Sequence, residues 1–186
     1  MEDTAGLPSL VERARRGDAR AWASLYRHAY PRLLAYARRR LPGDEEAREA
    51  VSETMARAVR SIDRFRDLGN GFDAWLTGIH RHVVLDAQRR SSRHPTVPEV
   101  PDLEAADASP EDQVLRSREH GAVRHAFARL GEADRELLEL RVVMGLSAEE
   151  VGEVLGRRPG AVRMAQSRAL ARLRALLADE PEMRHA

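Results

Sequence analysis

A run of arginines near the C-terminus is the feature of the sequence that most clearly suggests a chemistry. Residues 156–177 contain six Arg and no acidic residue. The planar guanidinium donates several hydrogen bonds in a fixed fork, which suits phosphate oxygens and the major-groove edge of guanine. A basic block on one short element therefore indicates a polyanionic partner, although the formal net charge of the 186-residue chain is only +1.

The residues around this run have the pattern of a helix-turn-helix. Ser147 and Glu150 have the spacing of a capping box at the start of a short helix, and Gly156 allows a tight turn. Pro159 then begins a longer helix. At 100° per residue, its arginine-rich face lies opposite an apolar face that begins at Val162. Since the second helix of such a motif lies in the major groove, this pattern predicts DNA binding.

The predicted DNA contacts of the second helix and its preceding turn are of two kinds. Arg163 and Arg168 are predicted to read guanine edges, each with roughly 1–3 kcal/mol of discrimination. Other arginines are predicted to contact the DNA backbone, which positions the protein without reading sequence. The full predicted set is Arg157, Arg158, Arg163, Met164, Ser167, Arg168 and Arg174. The alternative is that these residues form the solvated face of an ordinary amphipathic helix.

The rest of the composition excludes several other classes of chemistry. The chain has no Cys, which excludes disulfides and thiolate zinc sites, and no Lys, which excludes a P-loop and a Schiff base. His80 and His82 are two residues apart, so on a helix they point to different faces and do not form a metal pair. We find no catalytic constellation and expect no enzymatic activity, no metal and no cofactor. Short apolar runs and an N-terminus without a basic-then-apolar leader predict a cytoplasmic protein with no membrane insertion.

Glycine and proline divide the first half of the sequence into four predicted helices. Ser9 and Glu12 suggest a capping box for the first helix, and Asp18 is predicted to cap the second. Pro31 lies within the second helix and should kink or break it. The predicted apolar face of the fourth helix consists of Phe72, Trp75, Leu76, Ile79 and Val83.

A proline-rich acidic segment separates two predicted domains. Residues 91–112 hold four of the nine Pro and six acidic residues but only one Arg, so we expect an extended linker. The second half is predicted to form helices near 111–130, 133–143, 147–155 and 159–177. The sequence therefore predicts an all-α protein with two small helical domains, at residues 7–90 and 113–178.

Separate segments in both halves resemble the same protein family. Residues 136–177, ELLELRVVMGLSAEEVGEVLGRRPGAVRMAQSRALARLRALL, resemble domain four of bacterial RNA polymerase sigma factors. Residues 71–90, GFDAWLTGIHRHVVLDAQRR, are similar to the −10 recognition and melting region of domain two. Residues 44–58, DEEAREAVSETMARA, are similar to the acidic helix that docks on the polymerase β′ subunit. Because nothing resembles the family's domains one and three, the chain is identified as a member of the extracytoplasmic function (ECF) class.

The resemblance implies a role for each half. It implies that domain four binds the −35 promoter element and the flap of the β subunit, and that domain two melts the −10 element and captures flipped bases. The implied −10 contacts, in the loop before the fourth helix and on its expected exposed face, are Arg66, Asn70, Thr77, His80, Arg81, His82, Val84 and Gln88. The implied contacts with core polymerase are Glu45, Glu46, Glu49, Ser52, Glu53 and Met55. An anti-sigma factor is a further partner typical of the family.

These features together predict an alternative sigma factor that binds core RNA polymerase and directs promoter-specific initiation. The alternative is an autonomous helix-turn-helix regulator whose first half is a dimerisation or sensing domain. Such a regulator needs a palindromic site and no polymerase. A small helical enzyme or adaptor is a third hypothesis, which no catalytic residues support.

Overall fold

The computed structural model describes residues 6–67, 71–91 and 121–179, and all regular secondary structure in these ranges is helical. The helices of the first half are α1 (Leu7–Arg15), α2 (Ala19–Arg38), α3 (Asp44–Ser61), followed by a 3₁₀ turn (Ile62–Arg64), and α4 (Gly71–Ser91). Those of the second half are α5 (121–128), α6 (Glu132–Leu138), continued by a π-helical turn (Glu139–Val143), α7 (Ala148–Leu155) and α8 (Pro159–Ala178). The predicted all-α class is confirmed, whereas all but the first residue of the predicted linker at 91–112 lies outside the described ranges. No helix of the described ranges is both long enough and apolar enough to cross a membrane.

The start of α1 differs from the prediction. A capping box at Ser9 is wrong, because the helix already begins at Leu7, with Gly6 as its N-cap and Pro8 in its first turn. Proline is favoured in the first turn, where its missing N–H would have no helical partner. The helix ends just before Gly17, whose φ of +81° suits glycine and allows the chain to turn into α2.

One predicted feature of α2 is confirmed, and of the two effects predicted for Pro31, a kink or a break, the break is wrong. Asp18 caps the helix, since its carboxylate accepts hydrogen bonds from the backbone N–H groups of Arg20 at 2.8 Å and Ala21 at 3.2 Å. Pro31 does not break α2, which continues for two further turns. Pro31 is exposed while residues such as Leu33 are buried on the other face, so packing of the apolar face offsets the backbone bond that proline cannot donate.

The core of the first half is formed by apolar side chains of all four helices. Phe72, Leu76 and Val83 of α4 are at most 4 % exposed, and this confirms the predicted inward face of that helix. The rings of Phe65, Phe72 and Trp75 have centroids 5.1–6.3 Å apart, so they pack as one aromatic cluster.

The two halves of the protein share one apolar core, a feature that the sequence did not predict. Leu137, Leu140, Met144 and Val151 of the second half belong to the same buried cluster as the side chains of the first half. In this cluster α4 packs against α7, and α2 packs against the π-helical turn. A second, smaller cluster lies between α6 and α8 within the second half.

Candidate nucleic-acid and polymerase interfaces

Helices α7 and α8 form the predicted helix-turn-helix. The capping box is present, because the Ser147 hydroxyl accepts a hydrogen bond from the Glu150 N–H at 3.1 Å and the Glu150 carboxylate accepts one from the Ser147 N–H at 2.6 Å. Gly156 has a φ of +65°, a left-handed conformation that strains any residue with a Cβ. Pro159 occupies the first turn of α8, as predicted. These local features set where each helix begins and ends.

Arg141, a residue that the sequence analysis missed, fixes α8 relative to the turn before α7. Its Nε donates to Gln166 Oε1 at 2.9 Å, and its Nη1 donates to the carbonyl oxygen of Leu146. These contacts help to hold α8 with Val162 and Ala169 buried. The partner on α8 lies 25 residues along the chain, so no local spacing indicates this role.

The opposite face of α8 and the preceding turn are cationic and exposed. All seven residues predicted to bind −35 DNA are exposed: Arg157, Arg158, Arg163, Met164, Ser167, Arg168 and Arg174. Arg163 Nη1 donates to Glu149 Oε1 at 2.8 Å, but both side chains are more than half exposed, so solvent weakens this pair. The Nε of Arg168 contacts only a backbone carbonyl of its own helix, at 3.4 Å. Within the described part of the chain, the arginines predicted to contact the DNA backbone, Arg157, Arg158 and Arg174, have no ion-pair partner.

The face of α4 that was expected to be exposed is largely buried. Thr77, His80 and Val84 are 1 %, 0 % and 0 % exposed, so the prediction that they lie on the free surface is wrong. His80 packs inside the first half, where its Nε2 donates to the carbonyl of Leu33 at 2.9 Å and its Nδ1 lies 2.8 Å from Thr54 Oγ1. Burial lowers the pKa of His80 to about 4, so its ring is neutral at pH 7. These three residues share one face of α4, which was expected to be free, but α4 packs against α2, α3 and α7.

The other residues predicted to contact the −10 element have different environments. Arg66 and His82 are exposed. Arg81 is partly buried and donates to a carboxylate of α6 at 2.7 Å, and Gln88 is partly buried and donates to a backbone carbonyl at 3.0 Å. Asn70 lies outside the described ranges. The structure therefore separates the seven described residues of this set into accessible, paired and buried groups.

Most of the residues predicted to contact core polymerase form an acidic stripe on α3. The exposed members of the set are Glu45, Glu46, Glu49 and Ser52. Glu53 is half-exposed and accepts a hydrogen bond from Arg57 at 2.7 Å. Met55 is only 9 % exposed and belongs to the apolar core, so its assignment to a surface contact is wrong. Its position one turn after the buried Val51 places it on the inward face of α3.

The described residues include no group of three or more His, Asp or Glu side chains that could hold a metal ion. His28, Arg32 and Asp73 form an ion-pair cluster on α2 and α4. There, Asp73 lies 3.0 Å from His28 Nε2 and 3.1 Å from Arg32 Nη2. One carboxylate beside a cation does not make a metal site.

Comparison with known proteins identifies the family of this chain. Residues 25–94 match Sigma-70 region 2, and residues 120–173 match Sigma-70 region 4. The ECF RNA polymerase sigma factor ShbA of Streptomyces griseus is 41 % identical over 185 residues, which cover 94 % of this chain and 97 % of that protein. BldN of Streptomyces coelicolor, also an ECF RNA polymerase sigma factor, is 38 % identical over 181 residues, which cover 96 % of this chain and 68 % of that protein. The solved structure of CnrH in complex with the cytosolic domain of CnrY is 27 % identical, covers 92 % of this chain and 97 % of that chain, and has a TM-score of 0.67.

The two matched regions coincide with the two surfaces described above. Region 4 contains the helix-turn-helix and its cationic face, and region 2 contains most of α2 together with α3 and α4. An autonomous regulator would not share both regions, in this order, with full-length sigma factors. The chain belongs to the ECF family of RNA polymerase sigma factors.

Proposed function

We propose that this alternative sigma factor, which directs transcription initiation by core RNA polymerase, reads the −35 promoter element with α8. The first half, residues 7–90, would dock on the polymerase and act on the −10 element, and the second half, residues 113–178, would hold the −35 element. The observation that carries this proposal is the acid-free, exposed face of α8 behind a capped helix and a glycine turn.

The geometry of α8 suggests how the −35 element is read. The amide groups at the start of α8 carry a partial positive charge that favours phosphate. Arg168 lies on the exposed face, where no side chain of the described residues pairs with it, so its guanidinium can turn toward a base edge without breaking an ion pair to them. Arg163 must release or share its exposed contact with Glu149, which costs little in high dielectric. Both arginines are therefore suited to direct base reading.

Alanine substitutions on α8 test this assignment. We expect Arg168→Ala to lose roughly 1–3 kcal/mol of discrimination between a promoter and its −35 mutants, because a bidentate base contact is removed. Arg174→Ala should weaken binding to all −35 sequences by the same factor and reduce the salt dependence of binding, because only a phosphate contact is lost. The readout is transcription in vitro with core enzyme, on a promoter recovered from genomic fragments and on variants of its −35 element.

Arg172 provides a matched control on the same helix. Its Nε and Nη2 bind the carboxylate of Asp134 at 2.6 and 2.8 Å, which holds its side chain against α6. Arg172→Ala should therefore leave −35 discrimination unchanged. An equal loss across all sequences for Arg163, Arg168 and Arg174 variants would contradict the assignment of this face.

We infer that the acidic stripe of α3 docks on a basic surface of the polymerase β′ subunit. The stripe borders a shallow groove between α3 and α4, and its outer carboxylates are exposed. Glu49→Lys should reduce copurification with β′, because it replaces attraction by repulsion. Glu132→Lys, the same change at an exposed position of α6, is the control and should have no effect. Equal retention of β′ by both variants would refute the docking site.

Among the described residues that were predicted to contact the −10 element, Arg66 and His82 are the exposed ones. A cation for phosphate and a ring for stacking are the groups that single-strand capture requires. Arg66→Ala should slow open-complex formation on duplex DNA more than on a template already opened at −10. Equal slowing on both templates would assign Arg66 to another step.

Other properties of the protein follow from its family. We propose that it acts in the cytoplasm, where its polymerase is, and that it contributes no catalytic group of its own. The similar structure of CnrH was solved with the cytosolic domain of CnrY bound. We extend a bound protein partner to this chain and propose that its partner is an anti-sigma factor. Such a partner would be recovered by copurification from cells that lack an inducing signal.

A further inference from the structure

A buried ion pair joins the two halves of the protein. Arg40 follows α2 in the first half, and Glu139 begins the π-helical turn in the second. Nε and Nη2 of Arg40 both lie 2.7 Å from Glu139 Oε2, and the two side chains are only 7 % and 5 % exposed. The guanidinium carbon also lies 4.8 Å from the centroid of the Tyr36 ring, a distance typical of a cation–π contact. A charge pair 99 residues apart in sequence is thus enclosed between the halves.

Two more arginines of the first half contact the same short segment of the second half. Arg81 Nε of α4 lies 2.7 Å from Glu136 Oε1, with both side chains less than a quarter exposed. Arg32 Nη1 of α2 donates to the carbonyl of Met144 at 3.4 Å. The buried side chain of Met144 lines a small cavity together with Thr77 of α4. Residues 136–144 therefore pack on the first half through three cationic contacts and through the buried apolar side chains of Leu137, Leu140 and Met144.

The energetics of the ion pair suit a latch that fixes how the two halves meet. A buried ion pair adds little net stability, because desolvation of both charges offsets their attraction. It does fix the register of the two surfaces, because any shift would leave a buried charge without its partner. Separation of the halves returns both charges to water, whereas loss of one partner leaves the other buried and unpaired. The ion pair is therefore specific without being strong, and the stability of the closed arrangement comes from the apolar side chains that the two halves share.

The closed arrangement hides some of the proposed interfaces and leaves others free. It covers Thr77 and pairs Arg81, two residues of the predicted −10 set. The cationic face of α8 and the acidic stripe of α3 stay exposed. We propose that the second half holds the free protein in a closed form that blocks the −10 face of α4, and that the Arg40–Glu139 pair is the latch of this form. The inference rests on the proposed −10 role of the first half.

A distance measurement on the full-length chain tests the latch. Because the chain has no cysteine, Ala23→Cys on α2 and Ala171→Cys on α8, both at exposed positions, accept two specific spin labels. Without polymerase, the protein that carries only these two labelled substitutions should give one narrow interspin distance. Glu139→Arg, which places two cations together, should give a longer and broader distribution. The exchanged pair Arg40→Glu with Glu139→Arg should restore the narrow distance. The helical circular dichroism signal of Glu139→Arg should equal that of the wild type, which shows that the single variant opened rather than unfolded.

The control for this experiment is Glu153→Arg, which makes the same charge change at an exposed position of α7. It should leave the distance unchanged. Addition of core polymerase should lengthen the distance in the wild-type background, because promoter binding needs the halves apart. A wild-type distribution as broad as that of Glu139→Arg would overturn the closed form. A Glu139→Arg distribution as narrow as that of the wild type would overturn the latch.

Binding of the −10 non-template strand measures the functional consequence. When only about 0.1–10 % of a protein is in the binding-competent form, its apparent affinity falls by that fraction. Without polymerase, Glu139→Arg should therefore bind a labelled non-template oligonucleotide, from the promoter used above, about tenfold or more tighter than the wild type. If the wild type and Glu139→Arg bind the strand with equal, measurable affinities, the proposal that the second half blocks the −10 face of α4 is wrong. If neither protein binds the strand while the distances behave as expected, the −10 role fails and the closed form stands.

Discussion

Mild acid should destabilise the fold through one buried histidine, His80. Its side chain is fully buried, and this burial lowers its pKa to about 4 despite the opposing hydrogen bond to the Leu33 carbonyl. Because Nε2 donates to that carbonyl at 2.9 Å, Nδ1 is the acceptor and the hydroxyl of Thr54 is its donor at 2.8 Å. The same hydroxyl lies 2.6 Å from the carbonyl of Ala50, so its single proton serves two acceptors. A proton on Nδ1 would place an uncompensated charge in the core.

The sign and size of the effect follow from the pKa of His80 in the two states. In the unfolded chain the pKa is about 6.5, and in the folded protein it is about 4. The contribution of neutral His80 to stability is fully present above pH 6.5. Between pH 6.5 and 4 the unfolded chain binds a proton that the folded protein does not, so the free energy of unfolding falls by about 1.4 kcal/mol per pH unit. The total loss is about 3 kcal/mol, and His80 adds no further loss below pH 4.

Urea unfolding of the wild type and of His80→Gln, followed by circular dichroism from pH 8 to pH 4, measures this effect. Glutamine keeps a donor and an acceptor but does not titrate. Hydrogen bonds from arginine lower the pKa of exposed carboxyls such as Asp44 and Glu53, so acid also removes their contributions, but equally in both proteins. The difference in free energy of unfolding between the two proteins should therefore change by about 3 kcal/mol in favour of the variant on going from pH 7 to pH 4.

The assignment of a neutral, buried His80 can be refuted in two ways. Parallel stability curves for the two proteins from pH 7 to pH 4 would show that His80 is not linked to folding. An NMR titration of the folded protein that gives His80 a pKa at or above 6.5 would show that its ring is held as the cation. In that case Nδ1 would donate to Thr54, whose hydroxyl would donate to Ala50 alone.

Other predictions concern the backbone and the caps. Gly156→Ala should lower the free energy of unfolding by roughly 1–2 kcal/mol, because φ is +65°, and calorimetry should show a lower melting temperature. Gly78→Ala should raise that free energy by up to about 1 kcal/mol, because the added Cβ meets no atom within 4 Å in α4; a decrease would contradict the open space there. Ser147→Ala removes the cap of α7 and should cost about 1 kcal/mol in urea unfolding, whereas Ser147→Asp should recover most of it. Equal stability of Ser147→Ala and the wild type would show that the cap contributes nothing.

Local sequence signals predicted the helices and the helix-turn-helix. Ser147, Glu150 and Gly156 act on backbone groups only a few residues away, so their effect can be read from spacing alone. The exposed and buried faces of α8 were also predicted correctly, because the 3.6-residue period fixes which side chains share a face. The same helical period does not determine which face of a helix is covered by other helices when both faces contain polar and apolar residues.

The tertiary structure alone decided the environment of α4 and the contact between the halves. His80 is buried because a carbonyl 47 residues away, at Leu33, satisfies its ring nitrogen, and no nearby residue signals that partner. Arg40 and Glu139 are 99 residues apart, and either would be assigned to the surface by itself. The sequence by itself determined the helices, the N-caps of α2 and α7 and the cationic face of α8, since these depend on neighbours along the chain. Which polar groups are buried depends on distant partners that replace water, and only the packed structure brings those partners together.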